Sequence, residues 1–149
     1  MQFDHGGLQI LDDEECRSLL ATAPLGRIVF TDRALPAVQP VNFVLADGDV
    51  VIRTSPHSRL AAAARDAVVA FEIDAFDVAA RTGWSVVVVG HARAVADPSE
   101  LAALRDLPLR SWTPGEHGHF IRVHPEIITG RRLPEHGTDH RREDDRAEA

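Results

Sequence analysis

The segment from Arg53 to Arg59 places three hydroxyls and two guanidiniums between a predicted strand and a predicted helix. The hydroxyls belong to Thr54, Ser55 and Ser58. Such donors form charge-assisted hydrogen bonds with phosphate oxygens, at about 1.5–3 kcal/mol each, and the N–H groups of the first helical turn would add to them. The segment predicts a seat for a phosphate monoester. In the alternative interpretation, Ser58 only caps the helix and both arginines are solvated.

Composition limits the chemistry that the rest of the chain could supply. All 16 cationic side chains are arginine, so the absence of lysine excludes Schiff-base chemistry and a P-loop. Tyrosine is also absent, which excludes a phenol as a catalytic acid. The net charge of -7 without a dense basic stripe argues against nucleic acid or an anionic membrane surface as a partner. No apolar run approaches the roughly 20 residues of a membrane span. We therefore expect a soluble, cytoplasmic protein.

The elements that must position the phosphate segment are mostly strands. Strands are predicted at 26–31, 37–46, from Val50, at 68–74, from Trp84 and from His119 to about Val123. The sequence Asp47-Gly48-Asp49 predicts a hairpin, and Gly90 predicts a bulge or sharp bend. The segments 75–83 and 124–130 are predicted to be irregular. About six strands joined mainly by hairpins predict a small antiparallel barrel.

Three short helices and two terminal segments complete the predicted organisation. The helices begin near Asp12, at Ser58 and after Asp97, each with a capping side chain. The length of 149 residues suits one domain. We expect a flexible arm at 1–10, the barrel at 11–133 and a polar, disordered tail at 134–149.

Several segments together resemble the pyridoxamine 5'-phosphate oxidase-like split-barrel flavoproteins, over roughly Leu11 to Arg132. The segments are Leu25-Gly-Arg-Ile after the first helix, Val38-Gln-Pro-Val-Asn-Phe43, Arg53-Thr-Ser-Pro-His-Ser-Arg-Leu60, Thr82-Gly-Trp-Ser-Val86, Trp112-x-Pro-Gly, Ile121-Arg-Val and Ile128-Thr-Gly-Arg-Arg. The resemblance implies a mainly β fold with short helices, namely a six-stranded antiparallel Greek-key split β-barrel that binds FMN.

The same resemblance implies a homodimer with the cofactor between two barrels, where the cofactor is FMN or, in some branches, a deazaflavin or haem. The implied phosphate ligands are Arg53, Thr54, Ser58 and Arg59. The residues implied to lie against the ring system are Val41, Asn42, Trp84 and Ser85, and those implied to come from the partner subunit are Trp112 and Arg122. Many relatives have lysine where Arg59 stands, and a guanidinium serves a phosphate as well because its fork is bidentate.

Several of these residues could have purely structural roles that involve no ligand. Asn42 and Arg53 project polar groups from otherwise apolar strands. Buried polar groups need hydrogen-bond partners, and a flavin could supply them. Asn42 could equally be an edge-strand amide in water, and Trp84 a core or dimer-contact residue. Gly83 and Gly130 could be turn glycines with no other role.

Two other groups of residues partly match known catalytic or metal-binding patterns. The segment Gly83-Trp-Ser lacks the second glycine and the following helix of a hydrolase nucleophile elbow. His117 and His119 would share one face of a strand, but His124 falls on the other face and nothing completes a metal site. We expect no metal, and either of the first two histidines remains open as a haem ligand or proton shuttle.

The leading functional hypothesis is an FMN-binding oxidoreductase that moves a hydride or electrons to an unidentified small molecule. Vitamin B6 oxidation is not expected, because the chain passes from Arg131-Arg-Leu-Pro134 into a polar tail without the family's C-terminal arginine and histidine motif. The alternatives are a non-catalytic module that binds or stores FMN, deazaflavin or haem, and a barrel that has lost its ligand.

Overall fold

The computed structural model describes residues 1–109 and 118–135, most of which lie in strands. The strands, in chain order, are β1 Gln2–Phe3, β2 Gln9–Ile10, β3 Leu25–Asp32, β4 Leu35–Ala46, β5 Asp49–Thr54, β6 Ala67–Asp77, β7 Thr82–Ala94 and β8 His119–Leu133. The helices are α1 Asp13–Leu20, α2 Arg59–Ala63 and α3 Pro98–Arg105. Within these residues, each helix is too short or too polar to cross a bilayer.

The six long strands close into an antiparallel barrel in the order β8-β5-β4-β3-β6-β7, with β7 pairing back to β8. Strands β3, β4 and β5 follow one another through hairpins, and β6 then returns to lie beside β3. A fourth strand that returns beside the first of three is a Greek key. The predicted mainly β, six-stranded Greek-key barrel is confirmed.

Each helix begins at a side chain that accepts a hydrogen bond from a backbone N–H three residues later. The acceptors are Asp12 (2.8 Å), Ser58 (2.9 Å) and Asp97 (3.0 Å). Such caps satisfy donors that the first turn leaves without partners. The predicted helix starts are therefore confirmed.

Alternating residues of the strands divide between two apolar clusters. Val50 and Ile52 of β5 point into the barrel and belong to its interior core. In that core the Phe43 and Phe71 rings pack edge to face, with their centroids 4.7 Å apart. A smaller cluster lies outside the barrel under α3 and contains Val51, Val95, Leu104, Leu109 and Phe120. Because successive strand residues face opposite sides, β5 carries both clusters.

The register between β7 and β8 shifts at Gly90, where the sequence predicts a bulge or bend. Val89 pairs with Ile127 but Gly90 pairs with Pro125, so Glu126 is the extra residue of a β-bulge. A Cβ atom on Gly90 would lie 1.9 Å from the carbonyl oxygen of His124. The two backbones approach too closely here for any side chain.

Two segments predicted to be irregular are strands, which corrects the sequence-based prediction. Strands β6 and β7 pair as far as Asp77 and Thr82, within the predicted loop 75–83. Strand β8 continues past the bulge to Leu133 because β7 offers its edge to residues 127–133. The edge of a neighbouring strand supplies backbone hydrogen-bond partners even to a segment whose own sequence only weakly favours a strand. Local sequence periodicity cannot predict that such an edge is available.

The glycines at 83 and 130 lie inside these longer strands and are not turn residues. A Cβ on Gly83 would come within 2.1 Å of the Phe76 ring, and one on Gly130 within 2.6 Å of the Cys16 sulfur. Each glycine therefore permits a side chain from a neighbouring element to pack against the backbone.

The first ten residues, predicted to carry no regular structure, contain a small hairpin. Strand β1 pairs with β2, and β2 pairs with β8 at Arg131 and Arg132. The Arg131 guanidinium also donates to the Asp4 carboxylate at 3.1 Å. Most of the predicted tail, residues 136–149, lies outside the described residues.

Candidate functional site

The predicted phosphate segment, residues 53–59, forms a short loop between β5 and α2, which we call the phosphate loop. The buried Thr54 hydroxyl donates to Ser58 Oγ at 3.0 Å. Ser58 Oγ also accepts the Ala61 N–H at 2.9 Å. With two hydrogen bonds accepted, the Ser58 hydroxyl keeps its own proton to donate outward. The oxygen that caps α2 therefore retains one hydrogen-bond donor.

The two arginines of the phosphate loop occupy different surroundings. Arg53 lies on the outer face of β5, with its guanidinium carbon 5.3 Å from the centre of the Phe120 ring. The Arg59 side chain is 86% exposed, and its nearest carboxylate is Asp32 at 4.0 Å. Thr54 faces the opposite side of β5 from Arg53. The structure thus brings Thr54 and Ser58 together and leaves Arg59 extended beside them.

Val41 and Asn42 lie where β4 changes its partner. Residues 35–42 of β4 pair with β3, whereas residues 43–46 pair with β5. Asn42 and Arg53 are the next residues along β4 and β5 after the last paired residues, Phe43 and Ile52. The two strands are no longer paired beyond this point, and we call the space between the first half of β4 and the phosphate loop the cleft. Val41 is buried in the core and Asn42 is half-buried.

Trp84 and Ser85 lie at the other end of the barrel from the phosphate loop. On β8, the partner of Thr54 is His119 and the partner of Trp84 is Arg132. These two residues are at opposite ends of β8, roughly 40 Å apart along a strand that rises about 3.3 Å per residue. Trp84 is therefore far from Ser58 along the strands of its own protomer.

The end of the barrel around Trp84 is concave. Two adjoining cavities, of about 480 and 210 Å³, share Phe76, Gly83, Trp84 and Leu133. Trp84 also packs against the interior core. Both its predicted roles, as a core residue and as part of a binding surface, are compatible with this position.

Arg122 is held by acceptors of its own protomer. Its guanidinium donates to Asp49 at 2.7 Å, to Glu100 at 3.1 Å and to the Ala46 carbonyl at 3.1 Å. Although burial opposes the shift, hydrogen bonds from Arg122 and His124 lower the pKa of Asp49. This network joins β8 to the β4–β5 hairpin and α3. Trp112, the other residue implied to come from a partner, lies outside the described residues.

His119 stands beside the phosphate loop, opposite Thr54 on β8. Its Nε2 is buried and lacks a hydrogen-bond partner among the residues described. Burial, reinforced by the positive charge of Arg65, lowers the pKa of His119, which favours a neutral imidazole. His117 lies outside the described residues. Across residues 1–109 and 118–135, no three histidine, cysteine or carboxylate side chains converge on a metal position.

A charged cluster on the outer face, which no local sequence pattern predicts, is formed by Arg27, Glu72 and Asp74. Arg27 reaches Asp74 at 3.0 Å and Glu72 at 3.5 Å. Burial, together with the neighbouring Asp74 carboxyl, raises the pKa of Glu72 to about 7 despite Arg27. These residues come from β3 and β6, so only the strand register reveals that they meet.

Replacing Glu72 with glutamine is expected to stabilise the protein above neutral pH. The folded-state pKa is raised, so the stability linked to Glu72 is complete below about pH 4.5 and is lost as pH rises through about 7. Glutamine mimics the protonated form. At about pH 8 we expect the melting temperature of Glu72→Gln to exceed that of the wild type by roughly 2–4 °C, with little difference near pH 5. A gain of equal size at both pH values, or one shared by the exposed control Glu126→Gln, would argue against this assignment.

Comparison with known proteins places these features in a family. The family model for pyridoxamine 5'-phosphate oxidase matches residues 12–132. The uncharacterized protein Rv0080 of Mycobacterium tuberculosis is 42% identical over 128 residues, which cover 83% of this chain and 84% of the relative.

Solved structures agree with that match. The FAD binding protein from Mycobacterium smegmatis is 41% identical and superposes with a TM-score of 0.72, over 84% of this chain and 98% of the other. A Corynebacterium glutamicum protein, provisionally named a pyridoxamine 5'-phosphate oxidase, is 31% identical with a TM-score of 0.76, over 87% and 96%. An FAD and haem binding protein from Mycobacterium smegmatis, at 20% identity and a TM-score of 0.68 over 93% and 78%, shares the fold. The barrel, the phosphate loop and these matches together show that the chain belongs to the pyridoxamine 5'-phosphate oxidase family.

Proposed function

We propose that the protein binds a flavin nucleotide, either FMN or the FMN moiety of a larger flavin, in the cleft where β4 leaves β5. The observation that carries this proposal is the Thr54–Ser58 hydrogen bond of 3.0 Å, because a Ser58 oxygen that accepts from Thr54 still has its own proton to donate. The FAD-binding relative at 41% identity supports a flavin ligand.

The residues around the cleft have separate roles in this proposal. Ser58 and Arg59 donate to the phosphate, Thr54 fixes the Ser58 hydroxyl, and Arg53 adds positive charge. Asn42 donates or accepts at the polar edge of the ring, and Val41 supports the ring from the core. A bound flavin supplies hydride or electron transfer, and we propose that a small molecule is the acceptor or donor. The protein's contribution is to hold and orient the cofactor and to place hydrogen-bond donors beside it.

We further propose that two copies of the chain form the complete site. An apolar row crosses the outer face of five strands through the paired residues Val38, Val29, Ala70, Val89 and Ile127. Val38 is 62% and Ile127 58% exposed, and a continuous exposed apolar surface of this kind marks an interface. Since Trp84 and Ser85 are distant from the phosphate loop of their own protomer, they would reach the flavin from the partner. Sedimentation equilibrium of the wild type should give the mass of a dimer, and a monomer at all concentrations would contradict this arrangement.

The proposal is tested by titrating the apo-protein with FMN and with riboflavin, which lacks only the phosphate. Two or more charge-assisted hydrogen bonds should make FMN bind more tightly by a factor on the order of 100. Equal affinities, or no binding of either, would contradict the proposal. Deazaflavin and haem are the parallel ligands, and tighter binding of either would identify a different cofactor.

Turnover is tested separately from binding. Reduction of the bound flavin by NADH or NADPH, followed by reoxidation with a panel of quinones and nitro compounds, is the expected behaviour of an oxidoreductase. A protein that binds flavin and shows neither reaction would be a binding or storage module.

A further inference from the structure

We propose that the pairing of two protomers is coupled to the uptake of a proton by Glu72 on each of them. Glu72 belongs to the charged cluster with Arg27 and Asp74. This inference rests on the dimer proposed above, and it makes completion of the flavin site depend on pH.

The charged cluster lies one step from the apolar row on the same face of the sheet. Val29 pairs with Ala70 in that row, and two residues further along the same strands Arg27 pairs with Glu72. Residues two apart on a strand face the same side and are separated by roughly 7 Å. The other cross-strand neighbour of Glu72 is the uncharged Val87 of β7. A second copy that covered the apolar row would therefore reach Glu72 as well.

One cation serves two carboxylates in the charged cluster. The Arg27 guanidinium lies 3.0 Å from Asp74 and 3.5 Å from Glu72, so Asp74 has the closer contact. Both carboxyl side chains are largely covered, with 29% of Glu72 and 23% of Asp74 exposed. When both are ionised, the cluster has a net charge of one negative unit, which Arg27 does not balance.

The other cationic side chains that β7 and β8 place on this face have carboxylate partners of their own. These pairs are Arg131 with Asp4, His91 with Asp66, His124 with Asp49, Arg93 with Glu100, and Arg122 with Asp49 and Glu100. In an isologous dimer each protomer offers this same face to the other. The described part of the face therefore brings Glu72 no unpaired cation.

Covering the cluster would then favour the neutral form of Glu72. Removing water from a carboxylate that Arg27 balances only in part disfavours its ionised form. In the single protomer, burial and the neighbouring Asp74 carboxyl already raise the pKa of Glu72 to about 7, so the further rise falls above neutral pH. A protonated Glu72 can also donate to Asp74. The dimer should therefore bind this proton more tightly than the free protomer does.

Linkage gives the direction of the pH effect. Because the dimer favours the protonated carboxyl, its stability is complete at acidic pH and begins to be lost as pH rises through about 7. Each dimer takes up two protons, one for each protomer. We expect the dissociation constant of the dimer to rise roughly tenfold or more between about pH 6 and about pH 8.5.

Sedimentation equilibrium of the full-length protein without flavin, at these two pH values and one ionic strength, measures the coupling. Glu72→Gln mimics the protonated carboxyl and should keep the affinity of the acidic state at both pH values. Asp74→Asn leaves Arg27 to balance Glu72 and should reduce the pH dependence. Glu126→Gln is the matched control, because it removes the same charge from an exposed position beside Ile127. It should keep the wild-type dependence.

The outcomes separate this inference from the dimer on which it rests. A monomer at both pH values would refute the dimer and the coupling together. A dimer with the same dissociation constant at both pH values would overturn only the coupling, as would one that tightens at high pH, since the partner would then supply a cation to Glu72. A dependence that persists in Glu72→Gln and disappears in His91→Gln would assign the proton to the imidazole and also overturn it.

Discussion

Replacing Arg59 with alanine is expected to weaken flavin nucleotide binding by roughly 10–150-fold, because one charge-assisted contact to phosphate contributes about 1.5–3 kcal/mol. The fold should be unaffected. The side chain is 86% exposed and its carboxylate neighbour is 4.0 Å away, and exposed ion pairs of this kind contribute little to stability.

Quenching of flavin fluorescence on titration into apo-protein measures this effect. Riboflavin affinity should be the same in Arg59→Ala and wild type, because riboflavin has no phosphate to lose. Arg105→Ala, at an exposed arginine at the end of α3, is the matched control for the loss of a positive charge. An unchanged FMN affinity in Arg59→Ala would remove this residue from the phosphate site.

The substitution Gly90→Ala is expected to destabilise the fold by about 3 kcal/mol or more, near the upper end of overpacking effects. The added Cβ would lie 1.9 Å from a backbone oxygen, that of His124, which cannot rotate away as a side chain can. Relief would require β7 and β8 to separate where the register shifts. Because β8 also carries His119 opposite Thr54, we expect flavin affinity to fall as well.

Urea unfolding measures the stability effect through the midpoint and its slope. Gly118→Ala is the control, since a Cβ on Gly118 would meet no atom within 4 Å. We expect it to unfold within about 0.5 kcal/mol of the wild type. If Gly90→Ala were as stable as Gly118→Ala, the close approach at the bulge would not be a structural requirement.

Local signals in the sequence were enough to predict the helix caps, the hairpin at Asp47-Gly48 and the bulge at Gly90. Each depends on one residue type and its immediate neighbours. The long continuation of β8 was missed because residues 127–133 are held by the edge of β7, which is distant in the chain. The cluster of Arg27 with Glu72 and Asp74 was missed for the same reason, since it requires the register of β3 against β6.

The phosphate loop shows where sequence patterns stop being informative. The order of hydroxyls and arginines predicts an anion site, and the structure adds that Thr54 orients Ser58. Strand alternation then places Arg53 on the opposite side of β5 from Thr54, which a linear motif does not convey. The separation of Trp84 from Ser58 likewise follows only from the strand pairing of the barrel, and it is the reason that we propose a second protomer at the site.

A crystal structure of the flavin complex would locate the phosphorus atom and so show whether the phosphate loop binds it. We expect phosphate density within hydrogen-bond distance of Ser58 Oγ and the Arg59 guanidinium, with the ring directed towards Asn42. A flavin bound with its phosphate elsewhere, for instance beside Trp84 and Arg132 at the other end of the barrel, would contradict it.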